Sequence, residues 1–289
     1  MGNIVTLLFN GVSEGCLIFL VASGLSIILG LMGVVNFAHG TLFLWGAYAF
    51  QWIYNGTGNW PLAILAAVVA GFGLGLLFEK LFVSRVYGNV PAQIMITLGL
   101  QVVFTELVRV FWGAQQITVS RPPLLAGVSQ LSGGVTIVHY RVFLIAAGIA
   151  VAIVGQYILN KTRVGMIIRA GVQNSEMVDA LGINIHRYFT LVFAIGAALA
   201  GLGGALFAPL NGTLTSTIGY SNQLLAFIVV VIGGMGSFMG SLLGSLFLGV
   251  MIAVIGWVLP DISLVAPVLL MALILIFRPK GLFGLAVKK

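Results

Sequence analysis

The chain has 289 residues, of which 60% are hydrophobic and only 7% charged, with 39 glycines and a mean hydropathy of +1.17. A soluble domain carries about 25% charged residues, so this composition excludes a water-coated globule and sets the outer surface against lipid. The net charge of +7 does not read as nucleic-acid binding, because no groove-reading module accompanies it and basic residues gather in the cytoplasmic loops of membrane proteins.

A spanning chain must satisfy its backbone polar groups internally, which leaves helices or closed barrels. Continuous apolar runs such as 62–78 and 142–159 lack the alternation of a barrel strand and predict helices. In chain order the predicted segments are Val5–Leu31, Phe37–Ile53, Pro61–Phe78, Ala92–Trp112, Val142–Leu159, Phe189–Pro209, Gln223–Met235, Ser241–Leu259 and Ser263–Phe277. A helix needs about 20 residues to cross a core of about 30 Å. Gln223–Met235 falls short and ends in a glycine-rich run, as a partial or re-entrant span would. Val5–Leu31 is overlong and carries Gly11, Glu14 and Gly15, as a bent or broken helix would. The expectation is an all-α, polytopic transmembrane helical bundle of eight or nine spans, one domain over residues 1–289. Met1-Gly-Asn-Ile lacks the basic start of a cleavable signal peptide, so the first span is expected to be retained. Cys16 is the single cysteine, which excludes an intrachain disulfide.

Ten basic residues fall on one side of the predicted bundle: Lys80, Arg85, Lys161, Arg163, Arg169, Arg187, Arg278, Lys280, Lys288 and Lys289. The excess marks the cytoplasm and puts the C-terminal tail there. Nine spans then place the N-terminus outside and eight place it inside. The hydrophilic stretch at about 113–140 becomes an external loop, and that at about 160–188 a cytoplasmic one.

The cytoplasmic stretch spaces apolar residues at Met166, Ile167, Ala170, Met177, Val178 and Leu181, which predicts one or two short amphipathic helices. Asn174 or Ser175 suits the cap of the second, Glu176 and Asp179 its first turn, and Gly182 its stop. Two readings stand for it, a helix lying in the lipid interface and a handle offered to a cytoplasmic partner.

Glu14 and Glu106 are the carboxylates inside apolar segments, where an ionisable residue is a functional candidate. Arg109, three residues after Glu106, suits a structural helical pair, whereas Glu14 stays open. His39 falls at the expected cytoplasmic start of a span, where hydrogen bonding that secures a helix break together with Asn36 explains it better than metal binding or a proton relay. The glycine series 71/73/75, 196/201/203/204 and 233/234/236/240/244 fits close helix approach rather than phosphate loops. A stand-alone secondary carrier or channel would use Glu14, Glu106 and His39 for coupling.

Four stretches together resemble the branched-chain amino acid ABC permease family: Gly24–Gly40 with its Asn36-Phe-Ala-His-Gly40, followed by Gly46-Ala-Tyr48; Arg169–Ile183; Ile232–Gly244; and Phe277-Arg-Pro-Lys-Gly-Leu-Phe-Gly284. They run over nearly the whole chain in the family's order and resemble its shorter permease type. The resemblance implies a bacterial inner-membrane importer of two related permeases, two ATPase subunits and an external solute-binding protein. ATP and Mg would then be used in the ATPases, with no cofactor in this chain, no enzyme activity of its own and no nucleic-acid partner. No Gly-Lys dipeptide occurs here to build a phosphate-binding loop. By the same resemblance, Arg169, Glu176, Asp179 and Gly182 belong to the segment that couples to an ATPase. Asn36, His39 and Glu14 are expected to act in gating or along the pathway of a solute such as a branched-chain amino acid, another amino acid, urea, an amide or an organic acid.

Overall fold

The computed structural model describes residues 2–131, 134–278 and 281–283. Eleven α-helices follow in order: α1 Gly2–Met32, α2 His39–Thr57, α3 Trp60–Leu81, α4 Val90–Trp112, α5 His139–Lys161, α6 Arg163–Gln173, α7 Ser175–Ala180, α8 Ile185–Asn211, α9 Ile218–Gly233, α10 Phe238–Val258 and α11 Ala266–Phe277. Six of them, α1, α3, α4, α5, α8 and α10, are long and apolar enough to cross a membrane, and α9 and α11 are shorter apolar helices. With α2, they match the nine predicted segments. Strands not anticipated from the sequence lie in the loops: β1 Ile117–Thr118 pairs antiparallel with β4 Thr213–Leu214, and β2 Val128–Leu131 with β3 Val135–Val138.

Burial grades the helices into an inner and an outer set. α1 and α8 are mostly buried, whereas few of the side chains of α5 are. The inner helices approach one another where a side chain would not fit. Gly24 lies on the Gly196 backbone and Gly46 on that of Gly201, so an added Cβ would sit 2.4 Å from the facing backbone in each case. Small residues permit this contact in a membrane, where packing rather than water exclusion holds helices together. Gly73 departs from the expectation for its series, having open space around it.

The expected break in the first segment is not there. α1 is continuous over 31 residues, and Gly11 and Gly15 receive the α10 backbone at Val250 and Ser245. Its first turns lie beside the β2–β3 hairpin, where the Thr136 N–H donates to Thr6 Oγ1 over 3.0 Å. At the opposite end, Leu31 packs against Gly171 of α6. The tail returns to that same end, since the N–H of Leu282 donates to the Ile232 carbonyl at 2.8 Å and Phe283 shares a cavity wall with Arg169. The first turns of the chain and its last described residues therefore lie at opposite ends of the bundle, as nine spans require. The basic tail positions 280, 288 and 289 fall outside the described residues.

Candidate functional site

Gly33 ends α1 in a left-handed conformation, φ +62°, and the chain then turns back into the bundle before α2 begins. His39 Nε2 donates to the Val21 carbonyl over 3.0 Å. Val21 lies eleven residues short of the α1 end at Met32, a depth of about 16 Å at the helical rise. His39 thus stands deep in the bundle, not at the membrane face expected from the sequence. The correction has a simple cause: residues 33–38 are re-entrant, and a short re-entrant stretch has the same apolar composition as the start of a span.

A helix beginning at that depth leaves N–H groups that no water can satisfy. Two side chains meet the need. Asn36 Oδ1 accepts from the Ala38 N–H at 3.0 Å. Gln223 of α9 accepts the Gly40 N–H on Oε1 and donates from Nε2 to the Asn36 carbonyl at 3.2 Å. Gly40 and Gly219 touch backbone to backbone beside it. Asn36 and His39 are fully buried, and Asn36 Nδ2, His39 Nδ1 and Thr41 Oγ1 have no partner among the described residues. His39 and Asn36 are not joined to each other: Asn36 bonds at the break itself and His39 ties the start of α2 to the middle of α1. Gln223 was missed by sequence reasoning; a glutamine in an otherwise apolar run was its only signal.

The second cluster is the segment between α5 and α8. Thr162 caps α6 by accepting the Gly165 N–H, and Asn174 caps α7 by accepting that of Met177 over 2.9 Å. Gly182, at φ +82°, closes α7 with paired bonds: its N–H donates to Asp179 O, and the Ile183 N–H to Val178 O. That pairing is a Schellman stop, which needs the left-handed residue. Val178 is buried, while Met177 and Leu181 stand exposed at 59% and 73%.

The four sequence-derived residues of this segment are not one constellation. Arg169 Nη1 donates to Leu159 O and to Asn160 Oδ1 at 3.1 Å, which fastens α6 to the end of α5. Asp179 Oδ1 lies 3.5 Å from the Ile185 N–H at the start of α8. Glu176 is exposed in the first turn of α7. Across this end, Tyr87 in the α3–α4 turn donates to Glu79 and stacks on His186 with ring centroids 5.9 Å apart. Burial, and then the Glu79 carboxylate, push the Tyr87 hydroxyl well above its ordinary pKa, so it remains a donor.

Glu14 is placed near the other end of the bundle, 4.0 Å from Arg141 on α5, whose Nη1 also donates to Ser13 Oγ at 2.7 Å. Glu106 pairs with Arg109 at 2.7 Å, as the spacing suggested. Among the described residues no group of three His, Cys, Asp or Glu side chains is arranged to hold a metal.

The comparisons with known proteins follow the same outline. The family described as "Branched-chain amino acid transport system / permease component" matches residues 7–277. The high-affinity branched-chain amino acid transport system permease protein BraD of Pseudomonas aeruginosa is 30% identical over 96% of this chain and 94% of its own length. LivH of Escherichia coli, described in the same words, is 28% identical over the same shares. LivM of Escherichia coli is 26% identical over 90% of this chain but only 66% of its own length. With a match this continuous, and a length that agrees with BraD and LivH rather than with LivM, the chain belongs to the branched-chain amino acid transport system permease family, in its shorter, Asn-Phe-Ala-His-Gly-bearing form.

Proposed function

We propose that this chain forms the translocation pathway for a small polar solute, a branched-chain or other amino acid, in an importer driven by ATP hydrolysis in partner subunits. The observation that carries the reading is the α6–α7 segment. It joins α5, a helix with few buried side chains, to the inner helix α8, and it presents Met177 and Leu181 outward. A push on that segment is delivered directly to a helix at the centre of the bundle. ATP and Mg belong to the ATPase subunits, and this chain carries no cofactor.

The relatives supply the remaining partners. The likeness to both LivH and LivM supports pairing with a second, divergent permease, and the family supports two ATPases and an external solute-binding protein. The end bearing α6 and α7 is assigned to the cytoplasm of a bacterial inner membrane, with the C-terminus on that side. Lys80, Arg85, Lys161, Arg163, Arg169, Arg187 and Arg278 favour it, against Arg109, Arg121 and Arg141 opposite. Asn36, His39 and Gln223 hold the re-entrant segment halfway along the pathway, where a gate acts on a solute passing from either side.

The test is ATPase activity of the chain in nanodiscs, alone and with the second permease, the ATPases and loaded binding protein. The expected result is no hydrolysis alone and stimulation by loaded binding protein in the full set. Gradient-driven uptake by the isolated chain, with no association to any ATPase, would overturn the proposal.

A further inference from the structure

α5 meets the bundle along one narrow line. Tyr140, Leu144 and Gly148 are its buried residues, and Gly155 lies against the Phe238 ring at the start of α10. The spacing of 140, 144, 148 and 155 keeps them on one helical face. On each side of that line runs a groove.

One groove, of about 340 Å³, passes between Val151, Val154 and Ile158 of α5 and Val192 and Ile195 of α8. The other, of about 460 Å³, passes between Ile149 and Ile153 of α5 and Leu242 and Leu246 of α10. Side chains in both are apolar except Gln156, which lies where the second groove meets the α6 end. There the two grooves share walls with a third cavity of about 280 Å³, and Phe238 borders all three. The lining of this cavity changes character: Gln156, Asn160, Arg169, Gln173 and Ser237 bring polar groups. Arg169 is its cation and makes no ion pair among the described residues. Of its five N–H donors, those on Nη1 are used on Leu159 and Asn160, and a guanidinium matches a phosphate well.

Two apolar clefts converging on one cationic pocket at the membrane face have the shape and charge of a two-chain anionic lipid. We propose that an anionic glycerophospholipid straddles α5, with one acyl chain in each groove and its phosphate on Arg169, in the leaflet that faces α6. A protein helix is a single rod and would fill one groove without supplying the charge. A soluble anion would leave both grooves unused. Because Arg169 also fastens α6 to α5, the bound lipid stiffens the joint through which α6 moves. That consequence rests on the coupling reading of α6 and α7; the binding itself does not.

The test uses the full chain extracted from vesicles of equimolar phosphatidylglycerol and phosphatidylcholine, with retained lipids counted by native mass spectrometry. One phosphatidylglycerol should be retained about fivefold over phosphatidylcholine, the factor expected of one arginine near an anionic surface. Arg169→Gln should bring the two to parity, and Val151→Trp or Ala152→Trp, each filling one groove, should lower total retention. Equal retention of the two lipids by the unaltered chain, or undiminished preference in Arg169→Gln, would overturn the proposal. So would crosslinking of Ile153→Cys to a second protein chain, which would show a protein covering the grooves. Loss of coupling is read separately, as the ratio of uptake to ATP hydrolysis, so failure of either reading leaves the other measurable.

Discussion

At the scale of single residues, Gln223 has the heaviest duty. It satisfies one N–H and one carbonyl at the re-entrant break, both backbone groups with no water to replace it. Side-chain hydrogen bonds between membrane helices average only about 0.6 kcal/mol, because the unfolded reference finds other partners. Orphaned backbone groups at a buried helix start have no such alternative, and each costs about 1–3 kcal/mol. Gln223→Leu should therefore destabilise the chain beyond that average in a denaturant titration in detergent, and a change below about 0.5 kcal/mol would remove this role from Gln223. Asn36→Ala with His39→Ala should slow transport, and wild-type uptake by the double variant would make both bystanders to gating. The glycines offer a sharper contrast. A Cβ at Gly204 would lie 2.0 Å from the Phe43 carbonyl oxygen on α2, whereas one at Gly73 meets nothing within 4 Å. Gly204→Ala should abolish or severely lower folded yield. Gly73→Ala should be neutral or gain up to about 1 kcal/mol from helix propensity. Both glycines look alike in the sequence, since helical spacing does not say which face another helix covers.

Elements were legible where local chemistry sets them. The caps of α7, Asn174 and Gly182, were readable because an N-cap and a left-handed stop depend on neighbours within a few positions. The length of α1 was not, because whether Gly11 and Gly15 bend a helix or receive another depends on α10, more than two hundred residues away. The depth of His39 was hidden for the same reason: its partner, Val21, belongs to a different helix. For the α6–α7 segment the local signals give a direct test. Proline cannot adopt the φ of +82° at Gly182 or donate the N–H that bonds Asp179 O. Glu176→Lys reverses charge in the first turn of α7, against the helix dipole. In the reconstituted importer both variants should assemble and hydrolyse ATP, yet lose most uptake per ATP consumed. Unchanged uptake in both would remove the coupling role from this segment.

The whole molecule is arranged so that its movable parts sit at its margin. α1 and α8 form the packed centre, α5 hangs on a narrow line, and α6–α7 bridges the two. The coupling proposed above requires the bridge to face the ATPases. The asymmetry of basic residues favours that orientation, and two exposed positions make it testable. Asn55 is exposed at the end of α2 distant from α6, and Met177 is exposed on α7. In a Cys16→Ala background, Asn55→Cys should react with a membrane-impermeant maleimide in intact cells. Met177→Cys should react only after the membrane is opened. The reverse pattern would invert the bundle and place α6–α7 where no ATPase could reach it. Labelling of both positions from outside would contradict a topology in which three crossings, α3, α4 and α5, separate the two sites and leave them on opposite faces.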